Sequence, residues 1–114
     1  KNRFHGNGPR KGGPPNFAVW VKEGSSVSFS NNEVDHWRNA LFASNAKKIV
    51  ANDNQVNTFL GTAIIIRNSD EPTEASNNIA FSNEPLSLAI EIIGPQGKVK
   101  GNVVQKEPSQ PELP

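Results

Sequence analysis

The chain has 114 residues, of which 34% are hydrophobic, and this size fits one small domain. It contains no cysteine, which excludes disulfides, thiolate metal sites and thiol catalysis. The formal net charge of +1 conceals a polarity, because residues 1–48 hold eight Lys or Arg against three acids, whereas residues 49–114 hold four against eight.

The two ends of the chain differ in composition from its middle. Residues 1–15 are rich in glycine and proline and carry four cations without a carboxylate, so we expect a flexible basic arm. Residues 16–105 form the expected β-rich domain. Residues 106–114 read as a Pro-rich, mildly acidic tail, a candidate site for a protein partner. We identify no internal repeat.

Two alternating segments follow the arm. Residues 17–22 and 27–30 alternate apolar and polar side chains and are separated by a turn over 23–26, so they predict a β-hairpin. Val21 and Phe29 are expected to face the core. Trp20 and Lys22 would then lie on the opposite face.

The next segment allows two interpretations. A capping box, Ser30 with Glu33, precedes an apolar repeat at Val34, Trp37 and Leu41, and together they favour a short helix over 33–44. The rival interpretation is a strand over 37–43 that turns at 44–46 into a second strand over 47–50. The capping signature favours the helix.

The middle of the chain predicts one long strand and one long loop. Residues 55–67 read as a central strand with a bulge or tight bend at Gly61. Residues 68–85 are polar and acidic, and a connection of that length is typical of a functional or mobile loop.

The last third of the domain predicts a second hairpin. Residues 86–93 alternate strictly and residues 98–104 return after a turn. Glu91 would face Lys98 or Lys100 across this hairpin. The predicted fold class is therefore mainly β, with five or six strands in a small antiparallel barrel of the OB kind or in a compact sandwich.

The basic arm and the aromatic strand beside it suggest contact with nucleic acid. Lys and Arg gain affinity for a phosphate backbone by releasing counterions, and aromatic rings stack on bases. The cations expected to contact phosphate are Arg3, Arg10, Lys11, Lys22, Arg38, Lys47 and Lys48. The aromatic residues expected to stack are Phe17, Trp20 and Trp37. The competing interpretation is a solvated terminus, with Trp20 buried against Trp37 or Phe42.

Catalytic and metal chemistry find little support in the sequence. His5 and His36 are the two histidines, and Asp35 adjoins His36, but two further ligands at a workable spacing are lacking. No nucleophile elbow or dinucleotide fingerprint is complete. We expect no catalytic residue, no metal and no cofactor.

The favoured hypothesis is a non-enzymatic module that binds single-stranded DNA or RNA with weak sequence preference. The alternative is a structural or interaction β module of a virion, surface assembly or larger complex, which predicts homo-oligomers. A carbohydrate-binding module ranks lower because the chain has no Tyr and two Trp. No membrane partner is expected, since no apolar run approaches the ~20 residues of a membrane helix. The sequence indicates no compartment.

Overall fold

The protein is a coil of short parallel strands. The computed structural model describes residues 2–7, 16–57 and 59–106. These residues form thirteen β-strands and one short helix. Successive strands belong in turn to three sheets, A, B and C, and this order repeats for about four turns. All strand pairs between described residues are parallel. The architecture is a parallel β-solenoid.

Each sheet collects every third strand. Sheet A contains β1 (Asn2–His5), β4 (Asn32–Asp35), β7 (Gln55–Asn57), β10 (Ile79–Phe81) and β13 (Val103–Gln105). Sheet B contains β2 (Phe17–Val21), β5 (Asn39–Ser44), β8 (Ile64–Arg67) and β11 (Ile90–Ile93). Sheet C contains β3 (Ser26–Ser30), β6 (Lys48–Asn52), β9 (Thr73–Ser76) and β12 (Gln96–Lys100). The helix α1 (Leu86–Ala89) precedes β11, and no helix among the described residues is long and apolar enough to cross a membrane.

The interior is a stack of aliphatic side chains in register. Leu41 of sheet B pairs with Ile64, and Ile64 pairs with Ile90 in the next turn. Val34 and Val56 form the matching column of sheet A. All five are buried. Each fully buried side chain of this size contributes roughly 1.5–3 kcal/mol relative to exposure, so the column is a main source of stability.

The corner between sheets C and A, which we name the asparagine corner, repeats a two-residue pattern in every turn. Its first residue has φ between 58° and 73°, and this position holds Asn31, Asp53, Asn77 and Gly101. Its second residue is always asparagine, at Asn32, Asn54, Asn78 and Asn102. Left-handed backbone is tolerated best by Gly, Asn and Asp, which explains the residue types at the first position.

The second residues of the asparagine corner form a hydrogen-bonded ladder along the coil. The backbone N–H and Nδ2 of Asn32 donate to Oδ1 of Asn54 at 3.1 and 3.0 Å. Asn54 donates in the same way to Asn78, and Asn78 to Asn102, at 2.9–3.1 Å. Nδ2 of Asn54 also donates to the carbonyl oxygen of Phe29 at 2.8 Å. The ladder thus satisfies polar groups that the corner buries.

The predicted antiparallel barrel or sandwich is wrong, and so is the prediction that the chain has no repeat. Within the described residues, β2 pairs with β5 and β3 with β6, one turn later, so neither predicted hairpin forms. The predicted facing of Val21 and Phe29 inward and of Trp20 outward is confirmed. Apolar and polar side chains alternate with the same period in the strands of a hairpin and in the strands of a β-solenoid. This alternation therefore identifies the buried face but not the partner strand.

The predicted helix over 33–44 is also wrong, and the rival strands are confirmed. Residues 32–35 and 39–44 are β4 and β5, and β6 follows at 48–52. His36 has φ 62°, which interrupts any helix at that point. Leu41 and Ala43 stack on Ile64 and Ile66 of the next turn. This packing outweighs the local capping preference.

The later elements also differ from the predictions, because each strand packs on the next turn of the coil. The long strand over 55–67 is divided into β7 and β8, and the predicted bend at Gly61 is confirmed by its φ of 70°. The predicted loop over 68–85 contains β9 and β10. The strand over 86–93 begins instead as α1, and the strand over 98–104 is replaced by β12 and β13.

Three further predictions concern the basic arm, the partner of Glu91 and the C-terminal tail. Asn2–His5, which we had assigned to the flexible arm, form β1 and pair with β4. Glu91 pairs with Arg67 at 3.0 Å, and not with Lys98 or Lys100, because its neighbour in sheet B is β8. Residues 8–15 of the arm and 107–114 of the tail lie outside the described residues.

Candidate functional site

The cations predicted to contact phosphate are distributed around the coil. The described members are Arg3 on β1 of sheet A, Lys22 directly after β2 of sheet B, Arg38 between sheets A and B, and Lys47 and Lys48 at the start of β6 of sheet C. Arg10 and Lys11 lie outside the described residues. Arg3 is paired with Asp35 at 3.3 Å. The described cations therefore belong to all three sides of the coil instead of one path.

The predicted stacking aromatics have three different environments. Trp20 projects from sheet B and is 62% exposed. Phe17 stacks on Phe42 with ring centroids 5.1 Å apart. Trp37 lies after β4 and donates its indole N–H to the carbonyl oxygen of Phe4 at 3.3 Å. Trp20 alone of the three has the exposure that a base-stacking platform requires.

The C-terminal end of the coil, formed by α1, β11, β12 and β13, exposes apolar side chains. Leu86, Leu88, Ile93 and Val103 are each between 41% and 48% exposed. A cavity of about 570 Å³ lies at this end and is lined by both surface and interior residues, among them Ile92 and Val99. Here β11, β12 and β13 are the outermost strands of their sheets. The end thus combines open apolar surface with three strand edges.

The N-terminal end of the coil is filled by aromatic side chains. The rings of Phe4 and Phe29 pack with centroids 5.9 Å apart. Phe29 and Val21 in the first turn are 4% and 3% exposed. Among residues 2–7, 16–57 and 59–106, aromatic side chains therefore cover the interior at this end, whereas apolar side chains are exposed at the other.

A polar cluster lies on the outer face of sheet A beside the N-terminal end, and we name it the His–Asp cluster. His5 on β1 is the register partner of Asp35 on β4, so both side chains project from the same face. Nδ1 of His36 lies 3.0 Å from Oδ1 of Asp35, and Nδ1 of His5 is hydrogen-bonded to the same oxygen. The two imidazole rings meet edge to face with centroids 4.9 Å apart. Arg3 donates to the other oxygen of Asp35.

Asp35 is the negatively charged group of the cluster. Burial, the largest single influence, raises the pKa of this carboxyl group. Hydrogen bonds from His36, His5 and Arg3 together outweigh burial, so the pKa of Asp35 lies below its ordinary value of 3.8. Asp35 is therefore an ionised carboxylate at neutral pH although it is 9% exposed.

The backbone around the cluster is fixed by close contacts. The N–H of Gly6 donates to the carbonyl oxygen of Asp35 at 3.0 Å. A Cβ at Gly6 would collide with the carbonyl oxygen of His36 and with the indole of Trp37, so glycine is the residue that fits. Together with the indole hydrogen bond from Trp37 to Phe4, these contacts hold β1 and the following backbone against the corner that carries His36.

Comparison with known proteins identifies the family. A family model described as right handed beta helix region matches residues 1–104. The chain belongs to this family. No curated protein and no solved structure matches the chain. The strand order shows a parallel coil, and the family model identifies it as a right-handed β-helix.

This result corrects the prediction of function. The hypothesis of an OB-like module for single-stranded nucleic acid, which was based on the basic arm, the aromatic strand and the charge polarity, is wrong because the chain is a right-handed β-helix. The described cations also lie on different sheets of that coil. The alternative prediction, a structural or interaction β module, agrees better with the β-helix.

The sequence alone did not predict that the residues of the His–Asp cluster lie next to one another. His5 and Asp35 are 30 residues apart, and one turn of the β-helix closes that distance. The signal is the pair of an Asn, Asp or Gly with a following Asn at 31–32, 53–54, 77–78 and 101–102, a repeat of 22–24 residues. The first turn is longer, because Asn2 pairs with Asn32 across 30 residues, so this repeat reveals the coil but does not by itself place His5 beside Asp35.

Proposed function

We propose that this β-helix is a non-enzymatic structural and interaction module that pairs with a second copy of itself through its C-terminal end. The observation that carries this proposal is the open end formed by α1, β11, β12 and β13, where four large apolar side chains are at least 41% exposed. Monomeric proteins rarely leave a large contiguous apolar surface in water, and such surfaces mark sites of protein contact.

Strand edges give this surface a means of recognition. The outermost strands of sheets A, B and C all end their sheets here. An edge strand presents backbone N–H and C=O groups that pair readily with another strand. Apolar contact between the ends would supply most of the free energy of association, and backbone pairing would fix their orientation.

The difference between the two ends favours pairing of like with like. Phe4 and Phe29 fill the N-terminal end, so the described apolar opening lies at the C-terminal end. Two copies related by a two-fold axis would bury the same surface on each partner and run their edge strands antiparallel. Such an isologous contact closes at a dimer and does not propagate into a filament.

Size-exclusion chromatography with light scattering tests the association, with nuclease treatment of the sample beforehand. We expect a dimer whose mass is unchanged by the nuclease. Ile93→Lys and Val103→Lys place a charge in the interface and are expected to give a monomer. Trp20→Lys is the matched control, because it removes an apolar side chain that is even more exposed, at 62%, from sheet B, and it should leave the dimer intact.

A monomer at protein concentrations up to roughly 1 mM would overturn the proposal, since a contact of about −4 kcal/mol is half-populated there. A dimer that Trp20→Lys disrupts and Ile93→Lys does not would overturn it equally, by locating the contact on sheet B. Circular dichroism melts of all three variants establish that each remains folded.

A further inference from the structure

We propose that the His–Asp cluster binds a divalent transition-metal ion such as Zn²⁺, with Nδ1 of His5, Nδ1 of His36 and a carboxylate oxygen of Asp35 as ligands. The cluster lies in the first turns of the β-helix, whereas the proposed association surface is formed by the last. The two proposals are therefore independent.

The positions of the ligand atoms support a shared ion. One ligand atom from each of the three residues lies within 4.8 Å of the other two. A tetrahedral Zn²⁺ at about 2.0–2.2 Å from each ligand separates the ligands by about 3.4 Å. Both rings already direct Nδ1 at the same carboxylate.

The backbone positions the three ligands before any ion arrives. The parallel register of β1 and β4 sets His5 beside Asp35. The left-handed conformation of His36, at φ 62°, returns its ring over the carboxylate of the preceding residue. The hydrogen bond from Gly6 to the carbonyl of Asp35 holds the end of β1 in place. A preformed site loses less conformational entropy on binding than a flexible one.

Arg3 orients the Asp35 carboxylate by a hydrogen bond to the oxygen that the two imidazoles do not contact. Its guanidinium donates to Oδ2 of Asp35, while the imidazoles contact Oδ1. An outer hydrogen bond of this kind orients a metal-binding carboxylate and leaves its other oxygen for the ion. Asp35 side-chain exposure is 12%, so water competes weakly for the carboxylate.

The ligand atoms select the class of metal. Two imidazole nitrogens and one carboxylate oxygen suit Zn²⁺, Co²⁺, Ni²⁺ or Cu²⁺, whereas Ca²⁺ and Mg²⁺ prefer oxygen ligands throughout. Three protein ligands leave one tetrahedral position for water or an exogenous ligand. Binding moves the proton of each neutral ring to Nε2 and leaves Nδ1 free to coordinate. No change in oxidation state is involved.

The composition of the chain makes the test decisive. The two histidines of the cluster are the only ones in the sequence, and there is no cysteine to offer a thiolate. We would titrate the chelator-treated protein with ZnCl₂ by calorimetry and with CoCl₂ by visible absorption. Imidazole ¹⁵N NMR would follow the two rings. We expect one ion per chain, a Kd of about 1 µM or below, and both Nδ1 signals shifted to values typical of coordinated nitrogen.

Matched variants distinguish ligands from general surface charge. His36→Asn keeps a residue that tolerates positive φ, and His5→Gln keeps a polar side chain of similar length. Each should weaken zinc binding at least about 100-fold and abolish the cobalt spectrum, while Asp35→Asn should weaken binding at least about tenfold. Asp70→Asn removes an exposed carboxylate elsewhere and should leave zinc affinity unchanged.

The proposal is overturned if saturating ZnCl₂ leaves both imidazole spectra unchanged. It is also overturned if His36→Asn and His5→Gln bind zinc as tightly as the parent chain. Melting curves recorded in chelator establish that the variants fold without metal, so a loss of binding reports on the ligands themselves.

Discussion

Two corners of the β-helix follow opposite rules. The asparagine corner, between sheets C and A, has two residues in every turn, and the second is always asparagine. The corner between sheets A and B, which we name the variable corner, spans residues 6–16, 36–38, 58–63 and 82–89 in successive turns. Its lengths are unequal, and its residues include His36, Trp37 and the helix α1.

This difference indicates a division of roles: the asparagine corner specifies the coil, and the variable corner holds side chains that can bind a ligand or a partner. In the ladder of the asparagine corner, the buried amides of Asn54 and Asn78 have partners in the turns before and after, so each of these turns constrains the next. The described residues of the variable corner form no such ladder, and loops on a rigid scaffold are where binding groups concentrate. Both the His–Asp cluster and part of the open C-terminal end lie at or beside the variable corner.

Among single substitutions, the largest expected effect is the loss of one rung of the ladder. Asn54 is fully buried, and its side chain joins Asn32, Asn78 and Phe29. Asn54→Ala would leave several buried polar groups without a partner, at about 1–3 kcal/mol for each, so we expect the free energy of unfolding to fall by about 4 kcal/mol. Urea denaturation followed by circular dichroism measures this change.

The control for this prediction occupies the same column of sheet A. Asn2 is the register partner of Asn32, but it is exposed, and its backbone N–H donates to the carbonyl of Asn31. Asn2→Ala should change the free energy of unfolding by less than about 0.5 kcal/mol. Equal losses in both variants would mean that the ladder does not distinguish the turns.

The same contrast explains how much the sequence reveals. Alternation correctly identified Val21 and Phe29 as interior and Trp20 as exterior, because side chains alternate in any strand. It could not identify the partner strand, which depends on a repeat of 22–24 residues carried mainly by the asparagine corner. Unequal lengths at the variable corner obscure that repeat, and insertion of α1 in the last turn obscures it further.

The candidate site was harder to predict than the fold. His5 and Asp35 become neighbours through strand register, and no local motif records a contact between residues 30 apart. His36 joins them because of a left-handed backbone conformation that a single sequence does not disclose. The open end was hidden similarly, since Leu86 and Leu88 alternate as a buried strand would but lie on the exposed helix α1.

A smaller effect is expected at the variable corner, and it depends on pH. The pKa of Asp35 is lower in the folded protein than its ordinary value of 3.8, because hydrogen bonds from His36, His5 and Arg3 outweigh burial. A lowered pKa means that the unfolded chain binds more protons, so the stabilisation is complete above about pH 4 and is lost as pH falls through the folded pKa. Without metal, Asp35→Asn should cost about 1 kcal/mol at about pH 5 and less at about pH 2.

Urea titrations in chelator at both pH values measure that difference, and Asn54→Ala serves as the reference. The ladder is uncharged, so the destabilisation by Asn54→Ala should be the same at both pH values. A cost of Asp35→Asn that does not diminish in acid would show that Asp35 contributes to stability through its packing and not through its charge.

The smallest effect is expected from lengthening the variable corner itself. Residues 82–89 already form the longest described connection between sheets A and B, and Asn83 and Glu84 are exposed. Inserting Gly-Ser-Gly between them adds little loop-closure entropy, so the free energy of unfolding should fall by about 0.5 kcal/mol or less. The same insertion between Asn77 and Asn78 should abolish cooperative unfolding, because it displaces a buried rung from Asn54 and Asn102. Similar melting curves for the two insertions would show that both corners tolerate added length, and the asparagine corner would then not be what fixes the height of each turn.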